Sequence, residues 1–348
     1  MTTIALQVVD IRAEAKDMVT IVLRRQDGRP LEYQAGQFLT FLFSFRGREL
    51  RRSYSFSSTP GVDHLPAVTV KRIVNGEVSR YLIDHLKVGD VLTSLPPAGK
   101  FLLEEVSGGT LVFVAAGSGM VPVFSLMKEA LRRAAVSFGG VTSAAVKRIV
   151  LISQNRNEES VPFRGELAAL GREYAGAFEW VSLLSSRGVR LSNGLLRDLL
   201  GELRLGGGLG SALFYLCGPP AFMRMVTFTL RPMGVAAGQI KKENFTVEYV
   251  PPAPLLVDKG TKRVVVHSAG QRYEFDTAWP STILDSALAR HIALPYSCRG
   301  GRCSTCVARC VSGSVKMSIN EVLTEKDLQA GLVLPCVGYA ETDVELEL

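Results

Sequence analysis

The sequence predicts a multidomain chain that joins an all-β unit, a parallel α/β unit and a third unit built around a cysteine-rich loop. Three observations carry that prediction. Short apolar runs broken by turn signals fill residues 1–104, strand-like and helix-like segments alternate over 105–248, and cysteines crowd towards the C-terminal end. A proline-bearing linker, 249–260, sets off the last unit, 261–348.

In the first unit the apolar or alternating runs are 4–9, 19–23, 38–45, 67–74 and 91–94. Asp27 with Gly28, Pro60 with Gly61, Asn75 with Gly76 and Gly89 with Asp90 punctuate them. Several short strands spaced in this way predict a small antiparallel barrel. Within it, Arg52, Ser53, Tyr54 and Ser55 place a cation beside an aromatic ring and hydroxyls on a strand. A guanidinium can clamp a phosphate, a Tyr can stack on a flat ring, and a Ser can hydrogen-bond a ring nitrogen. Taken alone, the same residues read equally well as a half-buried strand face. Val70 and Lys71 lead to Gly76, Val78 and Ser79, where a short helix over 79–86 is expected. The N–H groups at a helix start favour a pyrophosphate.

The second unit opens with an apolar strand, 110–115, that runs into Gly117, Ser118 and Gly119 and then into an apolar-periodic segment, 123–131. Further strands are expected at 148–153, 178–184 and 212–217, with helices at 163–174, 193–200 and 221–231. This alternation predicts a parallel sheet covered on both faces. Ligands of such sheets bind beyond the carboxyl ends of the strands. The Gly117 turn and the Cys217, Gly218 pair fall there. Pro122 stands where a Rossmann fingerprint would carry its third Gly, so the turn is a partial match.

The third unit begins with strand candidates at 263–267 and 272–276. A helix follows, capped by Ser281 or Thr282, with Ile283, Leu284, Ala287 and Leu288 on one face. Next come Cys298, Cys303 and Cys306 in C-x4-C-x2-C spacing, and Cys336 after 29 intervening residues. This is the ligand spacing of a plant-type [2Fe–2S] cluster. Two bridged irons need four thiolates arriving from two sides, and a Gly-containing loop can wrap three of them around the cluster. Gly300 and Gly301 let the backbone turn and aim N–H groups at sulfur. Structural zinc usually shows two C-x2-C knuckles, and only one is present. Disulfides need an oxidising compartment. Both alternatives rank behind the cluster.

The bulk numbers fit this division. A length of 348 residues has room for two or three domains. The formal net charge of +7 is uneven: residues 261–348 hold 9 Lys and Arg against 10 Asp and Glu, leaving 31 against 23 in the remainder. A basic body can attract phosphates or an acidic partner protein. No basic run carries the aromatic interleaving of a nucleic-acid surface. The run 111–127 is long enough to raise the question of a membrane span, but the Gly117 turn interrupts it. Cys217 and Cys310 are left over as free thiols and no basic, apolar leader is seen, so a cytoplasmic location is expected. Cys310 is expected to be a packed thiol. His64, His85, His267 and His291 show no ligand spacing.

Taken together, these motifs resemble the ferredoxin–NADP+ reductase superfamily fused to a plant-type ferredoxin. Arg52-x-Tyr54-Ser55, Gly76-x-x-Ser79, the Gly117, Ser118, Gly119 turn with Pro122, the run Cys217, Gly218, Pro219, Pro220 and the four cluster cysteines occur in the family's order. The nearest subgroup resembles reductase components of multicomponent oxygenases, such as the phenylacetyl-CoA epoxidase reductase component. The resemblance spans essentially the whole chain. It implies an antiparallel Greek-key flavin-binding barrel, a Rossmann-like nucleotide domain and a C-terminal β-grasp ferredoxin domain. It implies FAD, a [2Fe–2S] cluster and NADPH or NADH as substrate.

By similarity, Arg52 meets the flavin phosphates, Tyr54 packs on the isoalloxazine or ribityl, Ser55 sits near N5, and Lys71 is a further cofactor-binding candidate. Ser53 and Val70 flank that grip, and Gly76, Val78 and Ser79 hold the pyrophosphate. Gly117, Ser118 and Gly119 lie along the dinucleotide, with Cys217 and Gly218 near the nicotinamide. Phe245, in the run Glu243, Asn244, Phe245, lies close to the flavin or in the core. Arg156, Ser186 and Arg187 are candidates for a 2′-phosphate, favouring NADPH. Ser55 and Cys217 are the catalytic candidates. The implied activity is hydride transfer from NAD(P)H to FAD, then single-electron transfer through the cluster to a separate oxygenase. Another acceptor, such as hybrid-cluster protein or a desaturase, and a redox sensor without turnover are the alternatives. One departure from the family is extra sequence at 132–145, expected as a longer surface loop.

Overall fold

The computed structural model describes residues 3–45, 47–104, 109–138, 148–203, 205, 208–245, 253–254, 256 and 258–348. Its first layer is a six-stranded antiparallel sheet of β1 (Ile4–Ala15), β2 (Met18–Arg25), β3 (Phe38–Phe45), β4 (Arg48–Ser55), β5 (Ala67–Lys71) and β6 (Val91–Ser94) in the order β4-β3-β6-β1-β2-β5. A bridge between Phe56 and Val68 brings the two edges together and closes the barrel. Leu6, Ile21, Leu39, Phe41 and Val68 fill its interior, all fully buried. Alternation along each strand turns the other face outwards. The helix after β5 is α1 (Glu77–Asp84), two residues earlier than its expected span.

The second layer is a five-stranded parallel sheet of β7 (Thr110–Ala116), β8 (Arg148–Asn155), β9 (Phe178–Leu184), β10 (Leu213–Cys217) and β11 (Ile240–Glu243) in the order β11-β10-β7-β8-β9. Its helices are α2 (Met120–Phe138), α3 (Arg164–Glu173), α4 (Asn193–Glu202) and α5 (Pro220–Leu230). From β7 the chain steps outward to β8 and β9, then returns to β10 on the other side. The switch point therefore lies between β7 and β10, where such sheets bind ligands. The expected loop at 132–145 needs correcting, because α2 continues through residue 138: 132–138 extend the helix that buries Met127, Ala130 and Leu131 against the sheet. The remainder of that stretch lies outside the described residues, as do residues 249–252 of the linker.

The third unit carries β12 (Lys262–Ser268), β13 (Gln271–Thr277), α6 (Ile283–Leu288), β14 (Ala308–Ser312), β15 (Val315–Met317), α7 (Glu325–Gln329), β16 (Leu332–Val333), β17 (Gly338–Ala340) and β18 (Val344–Glu347). Its main sheet runs β13-β12-β18-β14-β16, with α6 packed across it, and β15 pairs with β17. Thr282 caps α6, its Oγ1 accepting from the Asp285 N–H at 3.0 Å. The linker's Pro254 carbonyl accepts from Trp279 Nε1 at 2.9 Å, so this end of the linker is laid onto the third unit.

The two seams between units differ. Barrel and nucleotide unit share a core in which Met18, Ala35 and Phe101 pack with Phe113, Met120 and Phe124. Buried hydrogen bonds reinforce it: Thr59 Oγ1 donates to the Ser125 carbonyl at 2.9 Å, and Ser125 Oγ donates to the Ser58 carbonyl at 2.6 Å. The third unit is joined by polar contacts instead. Among them are the Lys100–Asp327 ion pair at 2.8 Å and the bond from Asn244 Nδ2 to Glu321 at 2.9 Å. No helix among the described residues is long and apolar enough to cross a membrane.

Candidate functional site

A cavity of about 660 Å³ opens where the three units meet. The barrel lines it with Arg52, Ser53, Tyr54 and Ser55 of β4, with Lys71 at the end of β5, and with Gly76, Val78 and Ser79 at the start of α1. The nucleotide unit adds Ser118, Val121, Glu243 and Phe245, and the third unit adds Ser297, Cys298 and Cys303. Residues far apart in sequence thus face one space.

The barrel wall offers cations and unsatisfied donors suited to a phosphate-bearing group. Arg52 and Lys71 supply exposed cations at two points of the rim. The first turn of α1 has no side-chain cap on its N–H groups, which leaves donors for an anion. A Cβ on Gly76 would come within 2.5 Å of Ser79 Oγ, so the turn into α1 closes only around glycine. Ser79 Oγ accepts from the Ile73 N–H at 3.1 Å, which fixes that turn. Burial raises the Tyr54 phenol well above its ordinary value, so the ring presents a neutral face. Val70 is different: its side chain is fully buried in the barrel core and does not line the cavity.

At the switch point, Gly117, Ser118 and Gly119 form one tight turn between β7 and α2. A Cβ on Gly119 would sit 2.1 Å from the Cys217 carbonyl oxygen, so only glycine lets this turn meet the end of β10. Cys217 is fully buried and pairs across the sheet with Glu243. Burial pushes the Cys217 thiol well up, and the neighbouring Glu243 adds to the rise. Burial also pushes the Glu243 carboxyl up to about 8, with Cys303 adding to it. Nothing in the local sequence pattern marks Glu243 as a site residue. It sits between the nucleotide turn and the cluster loop, at the end of a strand only four residues long. A carboxyl raised by burial and lining a cavity marks a candidate functional group. Phe245 stands at the cavity mouth, 49% exposed, rather than in the core.

Arg156, Ser186 and Arg187 do not line the cavity. They lie on the neighbouring loops after β8 and β9, joined by a bond from the Ser186 N–H to the Arg156 carbonyl at 2.8 Å. Arg187 is ion-paired with Glu158, whose other oxygen meets Arg164 at 2.8 Å. Between these loops and the Gly117 turn, Asn155 ends β8 with both side-chain amide atoms buried and without a hydrogen-bond partner among the described residues.

The four cluster candidates converge. Cys303 contacts Cys298, Cys298 contacts Cys336, and Cys336 contacts Cys306. Main-chain N–H groups point at the sulfurs: Cys298 N–H donates to Cys303 Sγ at 3.4 Å, and Gly300 N–H to Cys298 Sγ at 3.3 Å. Gly301 has φ +71°, and a Cβ there would meet Ile319 at 3.0 Å, so the loop needs glycine at this turn. The bond to Cys298 and burial push the Cys303 thiol up. For Cys336 the bond from Cys298 lowers it, but the bond to Cys306 and burial outweigh that and raise it. Four such thiols cannot ionise together unless a cationic centre joins them, and bound metal inverts that cost. Among the described residues no group of three or more His, Cys, Asp or Glu is arranged around a single metal ion. The contacts run in one chain, Cys303 to Cys298 to Cys336 to Cys306, four sulfurs that together would hold a two-iron cluster. Cys310 stands apart, half-buried, its Sγ 3.3 Å from the Ser312 carbonyl.

Sequence comparison agrees with this geometry. Residues 5–102 match the family described as oxidoreductase FAD-binding domain. Residues 113–227 match the oxidoreductase NAD-binding domain, and 266–341 the 2Fe-2S iron-sulfur cluster binding domain. The ferredoxin reductase component of 3-ketosteroid-9-alpha-monooxygenase from Mycobacterium tuberculosis is 33% identical over 350 residues, covering 97% of this chain and 92% of that protein. The chain belongs to this family of FAD-, NAD- and 2Fe-2S-domain reductases. A component of 1,2-phenylacetyl-CoA epoxidase from Escherichia coli is 31% identical over 356 residues, covering 97% of this chain and 95% of that one. Among solved structures, phthalate dioxygenase reductase shares the fold at a TM-score of 0.60 and 21% identity, covering 99% of this chain and 98% of that one. The reductase is thus an oxidoreductase whose domains indicate FAD, NAD(P)H and a [2Fe–2S] cluster.

Proposed function

We propose that this reductase draws electron pairs from NAD(P)H and delivers them singly to a separate oxygenase component. One observation carries the reading: a single cavity takes its walls from the barrel, the switch point and the cluster loop. The working division is 1–104 for the flavin unit, 105–248 for the dinucleotide unit, 249–260 for the linker and 261–348 for the ferredoxin unit. Bound FAD would supply the conversion between two-electron and one-electron chemistry, and the bound cluster one-electron storage.

The chain's own residues position and tune these groups. Arg52, Lys71 and the start of α1 at Gly76, Val78 and Ser79 hold the flavin phosphates, which favours FAD over FMN. Tyr54 packs on the flavin, Ser53 and Val70 shape the strand beside it, and Ser55 offers a hydroxyl to its ring. Gly117, Ser118 and Gly119 carry the dinucleotide backbone. Cys217, Gly218 and Glu243 border the nicotinamide, where the buried carboxyl holds a proton, and Phe245 closes the mouth. Cys298, Cys303, Cys306 and Cys336 hold the cluster. Arg187, with Ser186 and Arg156, favours NADPH by meeting a 2′-phosphate. A cytoplasmic location suits the unpaired thiols.

The test is anaerobic addition of NADPH or NADH to the purified holoprotein, followed by reconstitution with candidate oxygenase components. The expected result is bleaching of flavin and cluster bands followed by substrate oxidation by a reconstituted pair. Bound cofactors that never bleach would overturn the proposal.

A further inference from the structure

Arg51 borders the same cavity as the neighbouring Arg52, but its guanidinium is turned onto the ferredoxin unit instead of standing exposed at the rim. Alternation along β4 places Arg51 and Ser53 on one face. That face meets the ferredoxin unit. The Arg51 side chain is only 6% exposed, and its guanidinium lies over the Tyr296 ring at 3.8 Å. Arg51 Nη1 donates to the Tyr296 carbonyl at 3.2 Å, and Nε pairs with Glu49 at 2.7 Å. Next to it, the hydroxyls of Ser53 and Ser297 are 2.5 Å apart. Tyr296 and Ser297 lead directly into Cys298, the first cluster ligand. Cys298 and Cys303 face the cavity, whereas Cys306 and Cys336 are buried within the ferredoxin unit. The clasp therefore holds the side of the cluster loop that looks towards the flavin.

The rest of this seam is weaker. Lys100 with Asp327, and Asn244 with Glu321, are solvent-accessible polar links of the kind that contribute little in salt. Arg51 combines a desolvated stack with a charge-assisted bond to main chain, which makes it the strongest single tie described between the cluster loop and the barrel.

We propose that Arg51 is a positioning residue for electron transfer: its clasp on Tyr296 holds the cluster loop against the flavin cavity. The inference rests on the flavin-to-cluster reading above. In the step it serves, one electron leaves reduced flavin and one ferric iron becomes ferrous. The second electron follows once an external one-electron acceptor has reoxidised the cluster, and the flavin's proton goes to solvent. Arg51 takes no part in the bonds made or broken. It fixes a distance.

The experiment compares holoenzyme carrying Arg51→Ala, Arg51→Lys or Tyr296→Leu with the parent. Hydrogen exchange of main-chain amides over residues 292–303 is measured without turnover, and stopped-flow absorbance follows flavin and cluster bleaching separately after NAD(P)H is added. For Arg51→Ala, flavin content and flavin bleaching should stay within about twofold of the parent. Cluster bleaching should slow at least about tenfold, the scale expected of a small misplacement, and loop exchange should quicken. Arg51→Lys, which keeps the charge but not the fork, should fall between. Tyr296→Leu should match Arg51→Ala, and the double variant should be no worse than either alone. Loss of flavin or an equal slowing of flavin bleaching would place Arg51 on the flavin and overturn the proposal. So would unchanged cluster bleaching and exchange in Arg51→Ala and in Tyr296→Leu. A parent enzyme whose cluster never bleaches would instead overturn the function on which the inference rests.

Discussion

The cluster loop and the loops proposed to meet the dinucleotide are built on opposite plans. The cluster loop draws its sulfurs inward, two of them buried, and surrounds them with main-chain N–H donors. The dinucleotide loops carry Arg156, Ser186 and Arg187 outward, joined by one main-chain bond, with Arg187 engaged by Glu158. On the proposed function, the contrast follows from what each would hold. A resident group is bound once and rewards a site arranged in advance, whereas a substrate that comes and goes needs side chains that can exchange partners with solvent.

Removing a cluster ligand should have the largest effect. Cys306→Ser or Cys336→Ser should abolish bound iron, because a buried site with three thiolates has no water to complete it. Iron and acid-labile sulfide assays check this, and reduction of ferricyanide from the flavin should survive. If reduction of ferricyanide falls equally, the cluster loop is also holding the flavin and the contrast fails.

Gly119→Ala comes next. Its Cβ would meet the Cys217 carbonyl at 2.1 Å, so the turn must shift. The Michaelis constant for pyridine nucleotide should rise tenfold or more, with stability lower by about 1–3 kcal/mol. Steady-state kinetics and thermal melts measure the two effects.

A smaller change, Arg187→Ala, sharpens the picture of the dinucleotide loops. The specificity constant for NADPH should fall by about tenfold and that for NADH by less than about twofold, the loss expected when one exposed charge-assisted contact is removed. Equal losses for both coenzymes would remove Arg187 from the 2′-phosphate site.

A separate effect concerns alkaline pH. Burial pushes the Tyr33 and Tyr215 phenols up to about 12. The folded state keeps these protons while the unfolded chain loses them near pH 10, so stability should decline as pH rises from about 10 towards 12. Denaturant melts across that window, with Tyr215→Phe as the comparison, should show a shallower decline in the variant.

Where a segment's own residues determine its structure, the sequence was legible. β3, β6 and β9 match their expected spans because each is an apolar or alternating run with turn residues at its ends. The cysteine spacing likewise pointed to a four-thiol site, and the four sulfurs do converge. β4 was visible only through its Arg-x-Tyr-Ser run, since Arg48–Ser55 is charged and hydroxyl-rich rather than apolar. β11 was missed because Ile, Lys, Lys and Glu show no strand pattern, and Glu243 was missed with it. Its burial comes from β10 and the cluster loop, which no local pattern encodes. Arg51 was hidden for the same reason: its partner lies 245 residues away. The loop expected at 132–145 rested on that stretch departing from the family pattern, whereas the paired Gly139 and Gly140 put the sequence's own stop signal just after Phe138, where α2 ends.

The two seams have a mechanical consequence. Thr59 and Ser125 stitch barrel to nucleotide unit inside a shared core, so those two parts melt and move as one body. Ferredoxin is fastened by a stacked arginine, a pair of hydroxyls and a few solvent-facing charges. Heat, salt or a competing protein surface should therefore loosen the ferredoxin unit before it separates the barrel from the nucleotide unit.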